Sequence, residues 1–198
     1  MVANTKFIVW TAGLSILFLI TLNWTFVSAQ FACIIKTCVP PQASTPKEEV
    51  PVLSPNTLAI PSLGVNTPIQ EVNSNDEKVF QEALKNGVVH YPGTAQAGKP
   101  GNVYVFGHSS DYIWNKSEYK TVFARLPDIA PDAEIYISDT QGKMYTYLVF
   151  DQFVTSGDNV SILSQETNGE SVLTLQTSYP IGTALKRYIV KARLQSTK

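Results

Sequence analysis

Cysteine is nearly absent from this chain: of 198 residues only Cys33 and Cys38 carry a thiol, and both precede the long stretch that could build a domain. A disulfide framework is therefore excluded for that stretch. With no His or third Cys beside the pair, a metal site there is disfavoured too. The two thiols could bond to each other or to a second chain, while Gln30, standing where an aliphatic residue would be expected, disfavours lipid attachment at Cys33. Neither sign of charge is in excess. With 15 Lys+Arg against 16 Asp+Glu, there is no basic field to hold a nucleic-acid backbone and no polybasic membrane-surface patch. Histidine is scarce, so imidazole chemistry must fall on His90 or His108. No acidic cluster argues for calcium, no cofactor or metal is expected, and internal repeats are missing.

What is present begins with a run free of charge, from Phe7 to Ile35, between Lys6 and Lys36. It is long enough to cross a hydrocarbon core as a helix. Its small polar residues can bond back to the helix backbone, and Trp10 and Trp24 sit near its ends, where interfacial aromatics are favoured. The expected organisation is a cytoplasmic tail at 1–6 and a transmembrane anchor at 7–29. The alternative at 7–29 is a signal peptide cleaved after Val27-Ser28-Ala29. Either way, everything after Lys36 is exported, and the retained anchor predicts a single-pass membrane protein with an extracytoplasmic domain. Residues 30–55 carry Pro40, Pro41, Pro46, Pro51 and Pro55 among Ser, Thr and Glu. Such a stretch builds no core and reads as an extended, semi-rigid spacer.

From residue 56 to 198 the pattern changes to short β-branched and aromatic runs broken by turn signals, the signature of a mainly β barrel or sandwich. Strands are predicted near Thr57–Ile60, Val65–Gln70, Gly87–Tyr91, Asn102–Phe106, Glu134–Ser138, Lys143–Thr155, Ser171–Thr177 and Arg187–Leu194. Short helices are predicted at Asn75–Asn86 and Lys120–Leu126. The first has a capping box in Ser74 and Glu77, a buried stripe of Val79, Phe80, Ala83 and Leu84, and a stop at Gly87.

The last two strands place residues. Alternation puts Leu173, Leu175 and Thr177 on one face, and carries Val172, Thr174, Gln176 and then Ser178 onto the other. Tyr188, Val190, Ala192 and Leu194 form an apolar face opposite Arg187, Ile189, Lys191 and Arg193. Antiparallel pairing across the Tyr179–Lys186 connection would bring Ser178 and Arg187 together, both pointing away from the core. A hydroxyl beside a guanidinium resembles a nucleophile beside an oxyanion stabiliser; a surface Ser beside a surface Arg is the plainer reading.

Three segments add to this. Gly87–Ser110 reads GVVHYPGTAQAGKPGNVYVFGHSS, Thr174–Pro180 reads TLQTSYP, and Lys186–Ala192 reads KRYIVKA. Together, in this order and spacing, they resemble the sortase family of membrane-anchored cysteine transpeptidases over roughly Asn56 to Leu194. In that family a GN…GH motif carries the catalytic His, a TLxTC motif the nucleophile, and the next strand an Arg. The matching positions are His108, Ser178 and Arg187. The resemblance implies an eight-stranded sortase-type β-barrel with a few short helices behind an N-terminal transmembrane helix. It also implies a reaction: an LPxTG-type C-terminal sorting signal of a surface or pilin protein is cleaved between Thr and Gly. The acyl group then passes to an amine of a cell-wall precursor or pilin. In this scheme the nucleophile attacks, His protonates the leaving amine, and Arg steadies the oxyanion.

One position departs from the pattern: Ser178 stands where the family has Cys. A thiol of pKa about 8.5 can be held as a thiolate, whereas a serine hydroxyl needs a general base during attack. Asp111 and Asp151 are the acidic residues available in sequence to orient such a base. Ser178 is compatible with a slow serine acyl-transferase, with a catalytically silent module that still binds sorting signals, and with a deliberately introduced inactivating substitution. His90 is expected to be structural, as it lies well before the GH motif. Ser109, facing away from its neighbour, is a poor partner for His108. Tyr112, Trp114 and Tyr119 are candidates for lining a substrate groove or for plain packing.

Overall fold

Strand pairing closes on itself. The computed structural model describes residues 51–111 and 116–197, and within them eight strands form one barrel in the order β1-β2-β3-β4-β7-β8-β6-β5, with β5 returning to β1. The strands are β1 (Thr57–Ile60), β2 (Val65–Glu71), β3 (Val88–His90), β4 (Gly101–Phe106), β5 (Glu134–Ser138), β6 (Met144–Ser156), β7 (Ser171–Tyr179) and β8 (Lys186–Thr197). The chain divides into the units Met1–Glu49 and Val50–Lys198, and the barrel is the second. The expected tail, anchor and most of the spacer lie outside the described residues, as do Cys33, Cys38, Tyr112 and Trp114. Among the described residues no helix is long and apolar enough to cross a membrane.

Most neighbouring strands are antiparallel, but β2 with β3 and β4 with β7 run parallel. A parallel neighbour cannot be reached through a tight hairpin. Helix α1 (Glu77–Ala83) and the single 3-10 turn that follows it fill the β2–β3 crossover. The interior is packed by the inward set of each strand, including Leu58, Ile60, Val103, Val105, Ile135, Ile137, Tyr147, Leu173, Leu175, Val190 and Ala192. The alternation expected for the last two strands is thus realised, with Tyr188 and Leu194 half-buried against the same core.

Four local expectations need correction. The helix over 75–86 is shorter, and its N-cap is Asp76, whose Oδ1 accepts from Lys78 N at 2.8 Å. Ser74 instead accepts from Asp76 N at 3.1 Å, so the N-cap sits two residues further on than in the Ser74–Glu77 box. Phe80 and Leu84 are buried, but Val79 is 38% exposed; a helix this short touches the barrel along a narrow line that leaves Val79 aside. No α-helix forms at Lys120–Leu126, where consecutive turns lead into a 3-10 segment at Leu126–Asp128. There Pro127 removes an N–H that a continuing α-helix would need.

Candidate active site

Three adjacent strands bring the predicted residues together. The parallel register of β4 and β7 pairs Phe106 with Gln176. It continues beyond β4, since Gly107 N donates to Gln176 O at 3.1 Å and Thr177 Oγ1 donates to Gly107 O at 2.9 Å. His108 therefore follows in step with Ser178. On the other side of β7, the antiparallel register sets Ser178 directly opposite Arg187 of β8. Ser178 is the middle member of a row, and all three side chains line one cleft of about 150 Å³.

Gly107 makes the last step of β4 feasible. A Cβ there would meet Phe123 and Val88 side chains at 2.8 and 2.9 Å, so the inward position before His108 has no space for a larger residue. The backbone of His108 is tied as well: its carbonyl accepts from Phe123 N at 2.9 Å.

The cleft is continuous in its lining with a groove of about 210 Å³ on the outer barrel face, the two sharing Glu77, Phe80, Phe106, Gln176 and Arg187. The groove floor is the outward set of β4 and β7, with Tyr104 donating to the Gln176 side-chain carbonyl. One wall is α1, whose Phe80 packs edge-on against Phe106 with ring centroids 5.1 Å apart. The other is the β6–β7 connection, with Gly157, Asn159, Val160, Ile162 and Leu163. Asn102 pins this second wall down. Its Nδ2 donates to Ile162 O at 2.9 Å and its Oδ1 accepts from Thr174 Oγ1 at 2.7 Å. The Asn of the GN motif thus has a structural job.

Electrostatics differ among the three. Burial holds the His108 imidazole below its usual pKa, opposed by the carboxylates of Asp111 and Glu77. Asp111 Oδ2 lies 3.9 Å from His108 Nε2, whereas Asp151 is exposed on β6, in register with Lys191, and lines neither the cleft nor the groove. Arg187 is steadied by its own strand entry: Nη1 donates to Ala184 O at 2.9 Å and Lys186 O at 3.1 Å. Its guanidinium carbon comes within 3.5 Å of where a Cβ on Gly157 would sit. Burial also pushes the Tyr104 hydroxyl well above its ordinary pKa, so it stays a neutral donor in the groove.

The remaining candidates fall elsewhere. His90 is 4% exposed. Its Nδ1 lies 2.9 Å from Glu71 Oε2 and its Nε2 3.0 Å from both Ala95 O and Thr94 Oγ1, so it ties β3 to the loop that follows. Ser109 is buried and, as expected from alternation, faces away from the cleft. Tyr119 lines a different cavity, with Leu63, Asn66 and Arg125. Glu77, Asp111 and Gln176 belong to the site's surroundings and were not singled out by motif; only the fold brings Glu77 and Gln176 to the cleft. Among the described residues no cluster of His, Cys, Asp and Glu could hold a metal ion.

The fold is thus a closed eight-stranded barrel in which His108 and Ser178 stand side by side at the end of the parallel β4–β7 pair, with Arg187 across from Ser178. The sequence profile described as the Sortase domain matches residues 58–195, and the chain belongs to the sortase family. Among solved structures it is similar to a Clostridium perfringens sortase D5 transpeptidase, with 28% identity, a TM-score of 0.57, and 71% of this chain and 78% of that one covered. It is similar also to sortase E from Streptomyces avermitilis, with 28% identity, a TM-score of 0.57, and 73% and 90% covered. Sortase C-1 from Actinomyces oris, 24% identical with a TM-score of 0.59 over 71% and 72% of the two chains, shares the fold. No curated protein matches.

Proposed function

We propose that this chain is a membrane-tethered sortase-type transpeptidase that accepts a C-terminal sorting signal of the LPxTG kind and forms its acyl-enzyme on Ser178. The observation that carries the reading is the row His108–Ser178–Arg187 on three adjacent strands, at the end of an apolar-walled groove. The groove's Phe80, Tyr91, Phe106, Val160 and Ile162 suit the Leu and Pro side chains of such a signal. In the reaction, Ser178 Oγ attacks the Thr carbonyl while His108 takes its proton. Arg187 offsets the charge that develops on the carbonyl oxygen. Collapse breaks the Thr–Gly bond, and His108 returns the proton to the departing amine. An incoming amine, on a cell-wall precursor or a pilin, reverses these steps on the ester. The depressed pKa of His108 keeps the imidazole neutral near pH 7, as a base requires.

The N-terminal run supplies the tether in this proposal and the Pro-rich spacer sets the reach from the bilayer. Incubation of the full chain with a panel of LPxTG-type peptides should leave an acyl adduct that intact and peptide mass spectrometry place on Ser178, and Ser178→Ala should abolish it. Absence of adduct and of cleavage across the panel would defeat the enzymatic reading.

The second reading is a silent sortase-fold module that binds sorting signals without turning them over. It is favoured by one observation: the hydroxyl of Ser178 in place of the thiol around which the family's chemistry is built. It predicts peptide binding that weakens on Arg187→Ala, with no cleavage at any pH.

A further inference from the structure

We propose, resting on the serine acyl-enzyme reading above, that Asp111 is the positioning carboxylate that makes His108 a general base for Ser178. A thiolate needs no proton removed at the moment of attack, but a serine hydroxyl does. A serine at this position therefore demands something the cysteine version does not, namely an imidazole able to accept a proton and remain charged until the leaving amine takes it. Asp111 meets that demand by position. It lies three residues after His108 in the same segment, and its Oδ2 is 3.9 Å from His108 Nε2, with the two side chains 16% and 18% exposed. That is ion-pair distance, and such pairs tighten when substrate fills a site and excludes water. With Nε2 turned to Asp111, Nδ1 is the ring nitrogen left to take the proton of Ser178 Oγ.

Three charged groups surround His108 among the described residues: Asp111 from its own segment, Glu77 from α1, and Arg187 from β8. The two carboxylates favour a charged imidazole, and Arg187 lines the same cleft. Glu77 is the more exposed of the two carboxylates. Asp111 acts more strongly of the two on the imidazole. In the step itself the Ser178 Oγ–carbonyl bond forms, and the Oγ proton passes to His108. The Thr–Gly C–N bond then breaks, and the same proton leaves on the Gly amine. Asp111 stays ionised throughout.

The test compares four full-length chains: the native chain, Asp111→Asn, Ser178→Cys, and the double variant. Asn is isosteric with Asp, and the fold of each chain is checked in the NMR spectra used below. The expected result is a fall in peptide cleavage of at least ~100-fold for Asp111→Asn with Ser178 present, against less than ~10-fold in the Ser178→Cys background. The pH profile of the residual serine activity should also rise at lower pH, because loss of the carboxylate lowers the pKa of the base. Equal losses in both backgrounds, or none with Ser178, would overturn the proposal. A second readout needs no turnover: the His108 ring resonances, followed against pH, should titrate at lower pH in Asp111→Asn than in the native chain. An unchanged titration overturns the role of Asp111 even if cleavage falls. If no chain cleaves any peptide yet the titration moves, the failure belongs to the serine acyl-enzyme reading, and the Asp111–His108 coupling stands.

Discussion

At the scale of single residues, the site is a row of three side chains with unequal demands. Exchange of Ser178 for Cys should raise peptide cleavage, because the thiol reacts as its thiolate and is intrinsically the better nucleophile; a coupled peptide-cleavage assay on the full chain decides this. Arg187→Ala should lower kcat by about 100- to 1000-fold, the usual cost of one lost oxyanion donor. Because, among the described residues, the Arg187 side chain bonds to backbone carbonyls of its own strand entry, the thermal midpoint should hardly move. His108 carries a pH signature of its own. Its folded pKa lies below its ordinary value because burial disfavours the imidazolium. The unfolded chain thus binds this proton more readily. The stability tied to the neutral ring is complete above the unfolded pKa of about 6.5 and is lost as pH falls through the folded value. Urea unfolding between pH 7.5 and 4.5 should show this slope in the native chain and a shallower one in His108→Gln.

Among the elements, α1 matters beyond its seven residues, because it walls the groove and presents Glu77 at the cleft. Its entry rests on the Asp76 cap, so Asp76→Ala should cost about 1 kcal/mol. Phe80→Ala empties a site packed against Tyr91 and Phe106, and should cost about 3 kcal/mol while raising KM for the peptide. Both are read by denaturant unfolding, the second also by kinetics. The helix was legible in outline from its apolar periodicity and its Gly87 stop, but its boundaries and the exposure of Val79 were not. Which side of a two-turn helix meets the barrel depends on the curvature of β3 and β4, and no local pattern encodes that. At 120–126 a helical reading failed for a different reason: the segment is tied by Phe123 N to His108 O, and Phe123 and Leu126 are fully buried in the barrel core. Long-range anchoring settles the backbone there ahead of helical propensity.

For the whole molecule, closure of the sheet removes exposed strand edges and lets a strand far along the chain sit beside an early one. β7 lies between β4 and β8, and that single placement makes the cleft. Since residues 51–198 contain no cysteine, the unfolding midpoint of the barrel should be the same with and without a thiol reductant, as scanning calorimetry can test. The tether in the proposed function makes a further prediction. The full chain should sediment with membranes and resist salt extraction, whereas a chain beginning at residue 36 should remain in the supernatant.

The amino-acid sequence by itself determined the β-rich class and the facing of β7 and β8, because period-two alternation and turn chemistry are local properties that neighbouring residues express without help; His108, Ser178 and Arg187 were singled out as candidates by the motif resemblance. It also set the adjacency of Ser178 and Arg187, since their strands are joined by a short connection and must pair. Only the tertiary structure decided that His108 stands in step with Ser178, 70 residues away, because the parallel β4–β7 register is a long-range choice made by core packing and barrel closure. The same holds for Glu77, brought to the cleft by a crossover helix, and for the choice of Asp111 over Asp151. One carboxylate reaches the imidazole and the other faces solvent on a different strand, a distinction that depends on where the chain turns after β4.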